Sequence, residues 1–230
     1  MAGRPLPADV SIAPSVLAAD FSRLGEQVGE VMAAGARVIH VDVMDGYFVP
    51  ALSMGPVVVS ALREQISAAG GLIDVHLMVE RPERHVADFA SAGADSITVH
   101  AEATPHLDYA VAAIHEAGCR AGVAITPSTS PQALAEVAEA IDLALCMSVN
   151  PGWGGQAFIE RSLGKLERMR ALLADHVVLE VDGGIQRESA PAAVAAGATL
   201  LVAGSAVMGA PDPATAYRDL ARRCGVRLPG

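Results

Sequence analysis

The sequence predicts an α/β fold of the (β/α)₈ barrel type, and three observations support this. Eight short segments are rich in Val, Ile, Leu and Ala without polar alternation, which is typical of parallel strands buried on both faces. Alanine-rich stretches of helical composition fill the gaps between them. Four of these stretches end in a glycine between small residues, as expected where a helix ends with positive φ: Gly35, Gly93, Gly118 and Gly197. Eight β-α units in one chain suit the barrel better than a doubly wound sheet, which is the alternative fold.

The strands read, in order, VSIAP, RVIHVDV, LIDVHL, DSITVH, RAGVAI, DLALCMS, VVLEV and TLLVA, near residues 10–14, 37–43, 72–77, 95–100, 120–125, 142–148, 177–181 and 199–203. Helices are predicted in the gaps, near residues 20–34, 55–69, 82–92, 106–117, 130–139, 158–174, 187–196 and 212–223. Ser130-Pro131 and Asp212-Pro213 indicate helix starts, because a capping side chain precedes a proline at the first helical position.

Composition limits the possible functions. With no linker or low-complexity segment, residues 1–230 are expected to form a single domain, in which the proline-containing segment 1–9 is a flexible N-terminal extension. The net charge of −10 disfavours nucleic acid and anionic membranes as partners. No apolar stretch is long enough for a membrane span, and no signal-peptide core is present. Three widely spaced cysteines suit a reducing compartment, so we expect a cytoplasmic protein.

Metal-capable side chains occur where three predicted strands end. His40 and Asp42 are two residues apart and share one face of the second strand, His76 ends the third, and Asp182 ends the seventh. Because active sites of this fold lie at the carboxyl ends of the strands, we expect these four residues to converge. Their nitrogen and oxygen donors suit one Zn²⁺, Fe²⁺, Mn²⁺ or Co²⁺ ion without distinguishing among them. The alternative is that they are buried polar residues paired with one another.

Glycine-rich loops follow the sixth, seventh and eighth strands and are candidates for binding a phosphate through backbone N–H groups. Their key residues are Gly152, Trp153, Gly154 and Gly155, then Gly183 and Gly184, then Gly204 and Ser205. The alternative is that these glycines only form tight turns. With only one lysine in the chain, the phosphate would be held mainly by the backbone.

Three methionines, Met44, Met78 and Met147, lie near strand ends and are candidates for an apolar cap that excludes water from the reacting carbons. Filling gaps in the core is the alternative. Asp74 lies one layer deeper than His76 and is expected to support the ligands. His100 ends the fourth strand and is expected at most to line the pocket.

Taken together, these motifs resemble those of the ribulose-phosphate 3-epimerase family. The resemblance runs from about residue 10 to 220 and is carried by Ile12–Leu17, His40–Gly46 with Phe48–Pro50, Asp74–Val79, Met147–Gln156, Glu180–Gly184 and Ala203–Ser205. It departs from the family's usual pattern at Trp153, Ala51, Arg37-Val38 and Ile125-Thr126, none of which is a proposed ligand. These departures bear on substrate preference more than on the reaction.

The resemblance implies a phosphate-binding barrel that interconverts D-ribulose 5-phosphate and D-xylulose 5-phosphate at C3, a step of the pentose phosphate pathway. It implies that Asp42 and Asp182 are two acid/base groups flanking a metal-stabilised enediolate, and that Ser15 and His76 contact the substrate. It also implies a homo-oligomer. A physical reason favours two bases: one carboxylate cannot easily reach both faces of C3.

Three rivals remain from the sequence. D-Allulose 6-phosphate is an alternative substrate for the same chemistry, and a sugar-phosphate-binding protein without catalysis is the non-enzyme alternative. A Schiff-base aldolase would need a lysine at a strand end, whereas Lys165, the only lysine, falls on a predicted helix.

Overall fold

The computed structural model of the chain describes residues 4–228. Eight parallel strands form one sheet in the order β1-β8-β7-β6-β5-β4-β3-β2, and an isolated parallel bridge between Ser15 and His40 joins the two end strands. The predicted (β/α)₈ barrel is therefore confirmed. The strands are β1 (Ser11–Pro14), β2 (Val38–Met44), β3 (Leu72–Met78), β4 (Ser96–His100), β5 (Arg120–Ile125), β6 (Leu143–Met147), β7 (Val178–Asp182) and β8 (Leu200–Ala203).

Helices connect the strands on the outside of the barrel. They are α1 (Leu24–Ala33), α2 (Pro56–Ala68), α3 (Val86–Ala92), α4 (Leu107–Glu116), α5 (Ser162–Leu172), α6 (Ser189–Ala195) and α7 (Pro213–Arg223). The four glycines expected to follow helices all have positive φ, between 86° and 116°. Asp212 caps α7 as predicted, because its carboxylate accepts the N–H of Thr215 at 2.9 Å.

The helix predicted near 130–139 is present, but it is a 3₁₀ helix, Pro131–Val137, and not an α-helix. Its buried residues are Pro131, Leu134 and Val137, which are spaced by three. A 3₁₀ helix has three residues per turn, so this spacing aligns all three side chains on one side, whereas an α-helix would spread them. The predicted helix over 158–174 also begins later than expected, at Ser162.

The barrel interior changes character along its length. At the end where the strands begin, an apolar cluster includes Val38, Leu72, Leu143, Val178 and Leu200. At the opposite end, the buried side chains include polar and ionisable groups such as His40, Asp42 and His76. The apolar half closes the barrel with a packed core, and the polar half faces the carboxyl ends of the strands, where barrel enzymes carry out their chemistry.

The segment before β1 crosses the apolar end of the barrel. Arg4 Nε lies 3.2 Å from Asp95 Oδ1, and the partly buried Leu6 packs against the apolar cluster. The expectation of a flexible extension over 1–9 stays a prediction, and residues 1–3 lie outside the described residues. Within the described part of the chain, no helix is long and apolar enough to cross a membrane.

Candidate active site

The site is built on β2 and β3, whose register pairs Asp42 with His76 and His40 with Asp74. Both strands are buried along their whole length. Alternation directs Ile39, Val41 and Val43 into the large hydrophobic core, while His40 and Asp42 point to the barrel interior. The placement of His40 and Asp42 between Ile39, Val41 and Val43 therefore directs both polar side chains to the site.

The structure brings together the four residues singled out in the sequence. One donor atom from each of His40, Asp42, His76 and Asp182 can be chosen so that all four lie within 4.8 Å of one another. Asp42 Oδ1 is 3.3 Å from His40 Nε2 and 3.0 Å from His76 Nδ1, and Asp182 Oδ2 is 3.9 Å from His76 Nδ1. Two imidazole nitrogens and two carboxylates within this space are a donor set that a divalent transition metal fits.

Ser15 fixes the orientation of Asp42. Its hydroxyl donates a hydrogen bond of 2.6 Å to Asp42 Oδ2, which leaves Oδ1 directed at the two imidazoles. Ser15 directly follows β1 and is itself buried. The residue expected from the sequence to contact substrate thus also holds one of the two carboxylates.

The two carboxylates differ in their electrostatic surroundings. Burial opposes ionisation of Asp42, but His40 and His76 outweigh it and hold its pKa well below the usual value. Burial, and then the negative charge of Asp42, raise the pKa of Asp182 to about 7. In the chain alone, Asp42 is therefore ionised where Asp182 can still carry a proton, which is the asymmetry that a two-base reaction requires.

The two imidazoles also differ. Burial, against the opposing effect of Asp42, lowers the pKa of His76 to about 4, so this ring is neutral. Burial would likewise lower the pKa of His40, but Asp42, Asp74 and Glu180 outweigh it and raise the pKa well above its ordinary value. A bound cation would replace this proton at the cluster, because metal ligation requires neutral imidazole.

A deeper layer supports His40, as expected for Asp74. Asp74 Oδ2 is 2.7 Å from His40 Nδ1, and the hydroxyl of Ser96 donates to the other oxygen of Asp74. His40 is thereby turned so that Nε2 faces the four-residue cluster. Such a carboxylate behind a metal-capable imidazole fixes the tautomer and the ring orientation.

Glu180 belongs to this layer and was missed as a site residue in the sequence. It is fully buried, its Oε1 lies 3.4 Å from His40 Nδ1, and its carboxyl oxygens make no hydrogen bond within the described part of the chain. Burial and the charge of Asp74 raise the pKa of Glu180 well above its usual value. Its position two residues before Asp182 was the available signal, because the two side chains share one face of β7.

A cavity of about 440 Å³ opens above the cluster. Asp42 and Asp182 line it, as do Ser15 and the three methionines proposed as a cap, Met44, Met78 and Met147. The predicted loop residues also line it: Gly152, Trp153, Gly154, Gly155, Gly183, Gly184, Gly204 and Ser205. The volume suits a small molecule.

The loop after β7 depends on its two glycines. Gly183 and Gly184 have φ of +117° and +64°. A Cβ at Gly183 would lie 2.3 Å from Val149 Cγ2, and one at Gly184 would lie 2.4 Å from the backbone nitrogen of Phe158. The glycines thus allow the β7 loop and the β6 loop to approach each other beside the cavity.

Some residues considered from the sequence do not line the cavity, among them His40, His76, His100 and Lys165. His76 is fully buried and is not among the residues that line the cavity, so its contact with substrate stays a prediction. Lys165 is buried on α5, where its ammonium donates to the carbonyl oxygen of Thr126 at 2.5 Å. This placement leaves a Schiff-base mechanism without its amine at the site.

His100 does not line the cavity, which was the most that the sequence led us to expect, but it contacts the buried His76. Its Nε2 is 2.9 Å from His76 Nε2, and its Nδ1 is 3.3 Å from Glu102 Oε2. The sequence signal was weak, because Glu102 falls in a 3₁₀ turn, Ala101–Ala103, after the strand has ended.

Comparison with solved structures agrees with the fold. A structure of KGPDC from Streptococcus mutans in complex with D-R5P aligns with a TM-score of 0.74 over 95% of this chain and 98% of that chain, at 17% sequence identity. Orotidine 5'-phosphate decarboxylase from Pyrococcus horikoshii OT3 aligns with a TM-score of 0.68 over 94% of this chain and all of that chain, also at 17% identity. At such identities the likeness concerns the barrel alone.

Sequence relatives are much closer. The ribulose-phosphate 3-epimerase of Bacillus subtilis (strain 168) is 45% identical, over 92% of this chain and 98% of the relative. That of Serratia marcescens is 50% identical, over 87% and 96%. Together with the barrel and the site, these relatives show that this chain is an enzyme, an epimerase that acts on carbohydrates. The model of the Ribulose-phosphate 3 epimerase family matches residues 11–208, and the chain belongs to that family.

Proposed function

We propose that this chain interconverts D-ribulose 5-phosphate and D-xylulose 5-phosphate by moving a proton at C3, with Asp42 and Asp182 as the two acid/base groups. The observation that carries the proposal is the pair of carboxylates lining one cavity. They come from β2 and β7, which β1 and β8 separate around the barrel. Two such groups can reach opposite faces of one carbon, and their different pKa values suit one to accept and the other to donate.

The proton steps use the chain's own side chains. Ionised Asp42 removes the C3 proton, and the electron pair left behind is delocalised onto the oxygen at C2, giving an enediolate. Asp182 then donates a proton to C3 from the other face, so the stereocentre is inverted and the two carboxyls have exchanged protonation states. In the reverse reaction the two residues exchange roles.

We propose that His40, Asp42, His76 and Asp182 hold one divalent cation, Zn²⁺, Fe²⁺, Mn²⁺ or Co²⁺. When bound, a cation supplies positive charge beside the substrate oxygens and stabilises the negative charge that develops there. The support is the mixed nitrogen and oxygen donor set within 4.8 Å, backed by Asp74 behind His40. His76 would meet the substrate only through this cluster, since it lies beneath the cavity.

The remaining site residues are proposed to bind and enclose the sugar phosphate. The glycine loops after β6, β7 and β8 line the same side of the cavity and offer backbone N–H groups for the phosphate. Met44 and Met78 form a small buried cluster with Val49, and Met147 lies against the same cavity. These side chains keep water away from the carbanion-like carbon, as an apolar cap would.

The test is turnover of metal-loaded protein on both pentulose phosphates. Asp42→Asn and Asp182→Asn should each nearly abolish turnover while leaving the protein folded, with Asp175→Asn as a matched control on an exposed loop. If either site variant keeps wild-type kcat with metal bound, the two-base scheme is wrong. Comparing kcat/KM on D-allulose 6-phosphate distinguishes the rival substrate, and a folded wild type that turns over neither sugar would indicate a binding protein.

We also propose that the chain forms one domain and a homo-oligomer in the cytoplasm. Support for self-association is the exposure of large apolar side chains, among them Phe21, Tyr47, Leu52 and Val57. Support for a reducing compartment is that all three cysteines are free and buried. Light scattering coupled to size exclusion tests the oligomer, and a monomer at micromolar concentration would contradict it.

A further inference from the structure

A series of hydrogen bonds links two buried imidazoles and a more exposed carboxylate, from the cluster to the turn after β4. His76 Nε2 is 2.9 Å from His100 Nε2, and His100 Nδ1 is 3.3 Å from Glu102 Oε2. Both rings are fully buried, and Phe48 packs against the His100 ring with centroids 4.9 Å apart. The two imidazoles are therefore shielded from water, and each must satisfy its ring nitrogens through these hydrogen bonds.

Glu102 is held as an anion at the end of this series. Its Oε1 accepts the backbone N–H of Thr126 at 2.8 Å and the hydroxyl of Thr129. Burial raises the pKa of Glu102, but the hydrogen bonds from His100, Thr129 and Thr126 outweigh it and lower the pKa to about 2. Lys165 steadies this loop by donating to the carbonyl oxygen of Thr126.

The Glu102 carboxylate determines the direction of every hydrogen bond that links His76, His100 and Glu102. An ionised carboxylate can only accept, so a His100 ring with a single N–H carries it on Nδ1 and leaves Nε2 bare. The bare Nε2 of His100 then accepts from His76, which carries its hydrogen on Nε2. The lone pair of His76 Nδ1 is thus free, and it lies 3.0 Å from Asp42 Oδ1 within the four-residue cluster.

If these hydrogen bonds ran in the opposite direction, His76 could not bind a cation. If His76 carried its hydrogen on Nδ1, it would donate to Asp42 and have no lone pair for a cation. His100 would then present a bare Nδ1 to the Glu102 carboxylate, which places two acceptors against each other. The hydrogen bonds to His100 and Glu102 favour a hydrogen on Nε2 of His76. The four-residue cluster favours the same tautomer only when a cation, and not a proton, lies between His76 Nδ1 and Asp42.

We infer that His100 and Glu102 are positioning residues that hold His76 in the Nε2–H tautomer and so prepare Nδ1 to bind a divalent cation. This inference rests on the proposed metal site. It assigns to His100, on β4, and to Glu102, just after β4, the role of supporting that site. Carboxylate and imidazole partners behind a ligand typically change metal affinity by roughly 10–100-fold when they are removed.

Glu102→Gln is the sharpest variant, because it keeps the size of the side chain and removes the charge. The amide NH₂ of glutamine can donate to His100 Nδ1. This reverses the direction of the hydrogen bond between His100 and His76 and puts a hydrogen on His76 Nδ1. We expect Zn²⁺ affinity, measured by competition with a fluorescent chelator, to fall by roughly 10–100-fold. Glu116→Gln, on an exposed position at the end of α4, is the matched control and should retain wild-type affinity.

A measurement on the wild type requires no variant to fold. Long-range ¹⁵N–¹H correlation spectra of the Zn²⁺-loaded protein should show a protonated Nδ1 on His100 and a protonated Nε2 on His76. The reverse pattern, or wild-type Zn²⁺ affinity in Glu102→Gln, would overturn the inference. Asp42→Asn separates the two proposals: if it binds Zn²⁺ as tightly as the wild type, the metal site itself is wrong, whereas loss in Asp42→Asn alone rejects only the role of Glu102.

Discussion

Replacing Gly184 with alanine should destabilise the protein far more than the same change at Gly154, on the same cavity wall. Gly184 has φ of +64°, and a Cβ there would lie 2.4 Å from the backbone nitrogen and 2.6 Å from the Cα of Phe158. Because the obstructing atoms belong to the backbone, no side-chain rotation can relieve the contact. The β6 and β7 loops must move apart in the variant.

The size of the effect can be worked from two contributions. The left-handed conformation costs an L-residue about 1–2 kcal/mol. Forcing an extra methyl group into a filled space costs about 1–3 kcal/mol. We therefore expect Gly184→Ala to lower the free energy of unfolding by about 2–5 kcal/mol. The movement of the loops should also raise KM for the sugar phosphate, since both loops line the cavity.

Gly154→Ala is the matched control on the same cavity wall. A Cβ at Gly154 would meet nothing within 4 Å, and its φ lies outside the positive range. Alanine at such a position stiffens the unfolded chain and should raise the free energy of unfolding by about 0.4–1 kcal/mol. Urea unfolding and steady-state kinetics of both variants provide the assay. Equal stability and equal KM in Gly184→Ala and wild type would refute the close approach of the loops.

Three further predictions use other parts of the site. Zn²⁺ at one hundred times its Kd should raise the free energy of unfolding by about 2.7 kcal/mol, and Asp182→Asn should lose most of this gain in calorimetry. Since the folded pKa of Glu102 is about 2, below its unfolded value, its stabilisation is present above about pH 4.3 and is lost as the pH falls towards 2. We therefore expect the free energy of unfolding of the wild type to exceed that of Glu102→Gln by about 1–2 kcal/mol at neutral pH, a value reduced for the partial exposure of Glu102. In urea titrations this difference should disappear on acidification, and a difference that is constant with pH would contradict the prediction. Trp153, the only tryptophan, is about half exposed at the cavity, so its fluorescence should change when the sugar phosphate binds and not when Trp153→Phe is titrated.

The fold could be predicted from the sequence because the signals were local and repeated. All eight strands appear within about a residue of their expected bounds, since each is an apolar run followed by a change of composition. The difference at Pro131–Val137 has a local cause as well. Alanine content indicated a helix, but the spacing of its buried residues by three, which the composition did not reveal, selected the 3₁₀ form.

The site was predictable only in part. The residues brought together at the cluster were found because strand alternation and the barrel rule both place them at one rim. Glu180 and Glu102 were missed, because their roles depend on neighbours far apart in the chain. Glu102 receives hydrogen bonds from a loop beginning at Thr126 and from His100, and no spacing in the sequence predicts that meeting.

The polar half of the barrel has a physical consequence for the whole molecule. Asp42, Asp74 and Glu180 are almost completely buried, and Asp182 lies beside them with little exposure. Buried carboxyl groups are costly unless opposite charge or hydrogen bonds offset the loss of water. His40, and His76 through its contact with Asp42, offset part of this cost. The packing of the apolar end of the barrel must therefore compensate for the destabilising effect of the buried carboxyl groups. A divalent cation bound at the cluster would reduce that destabilisation.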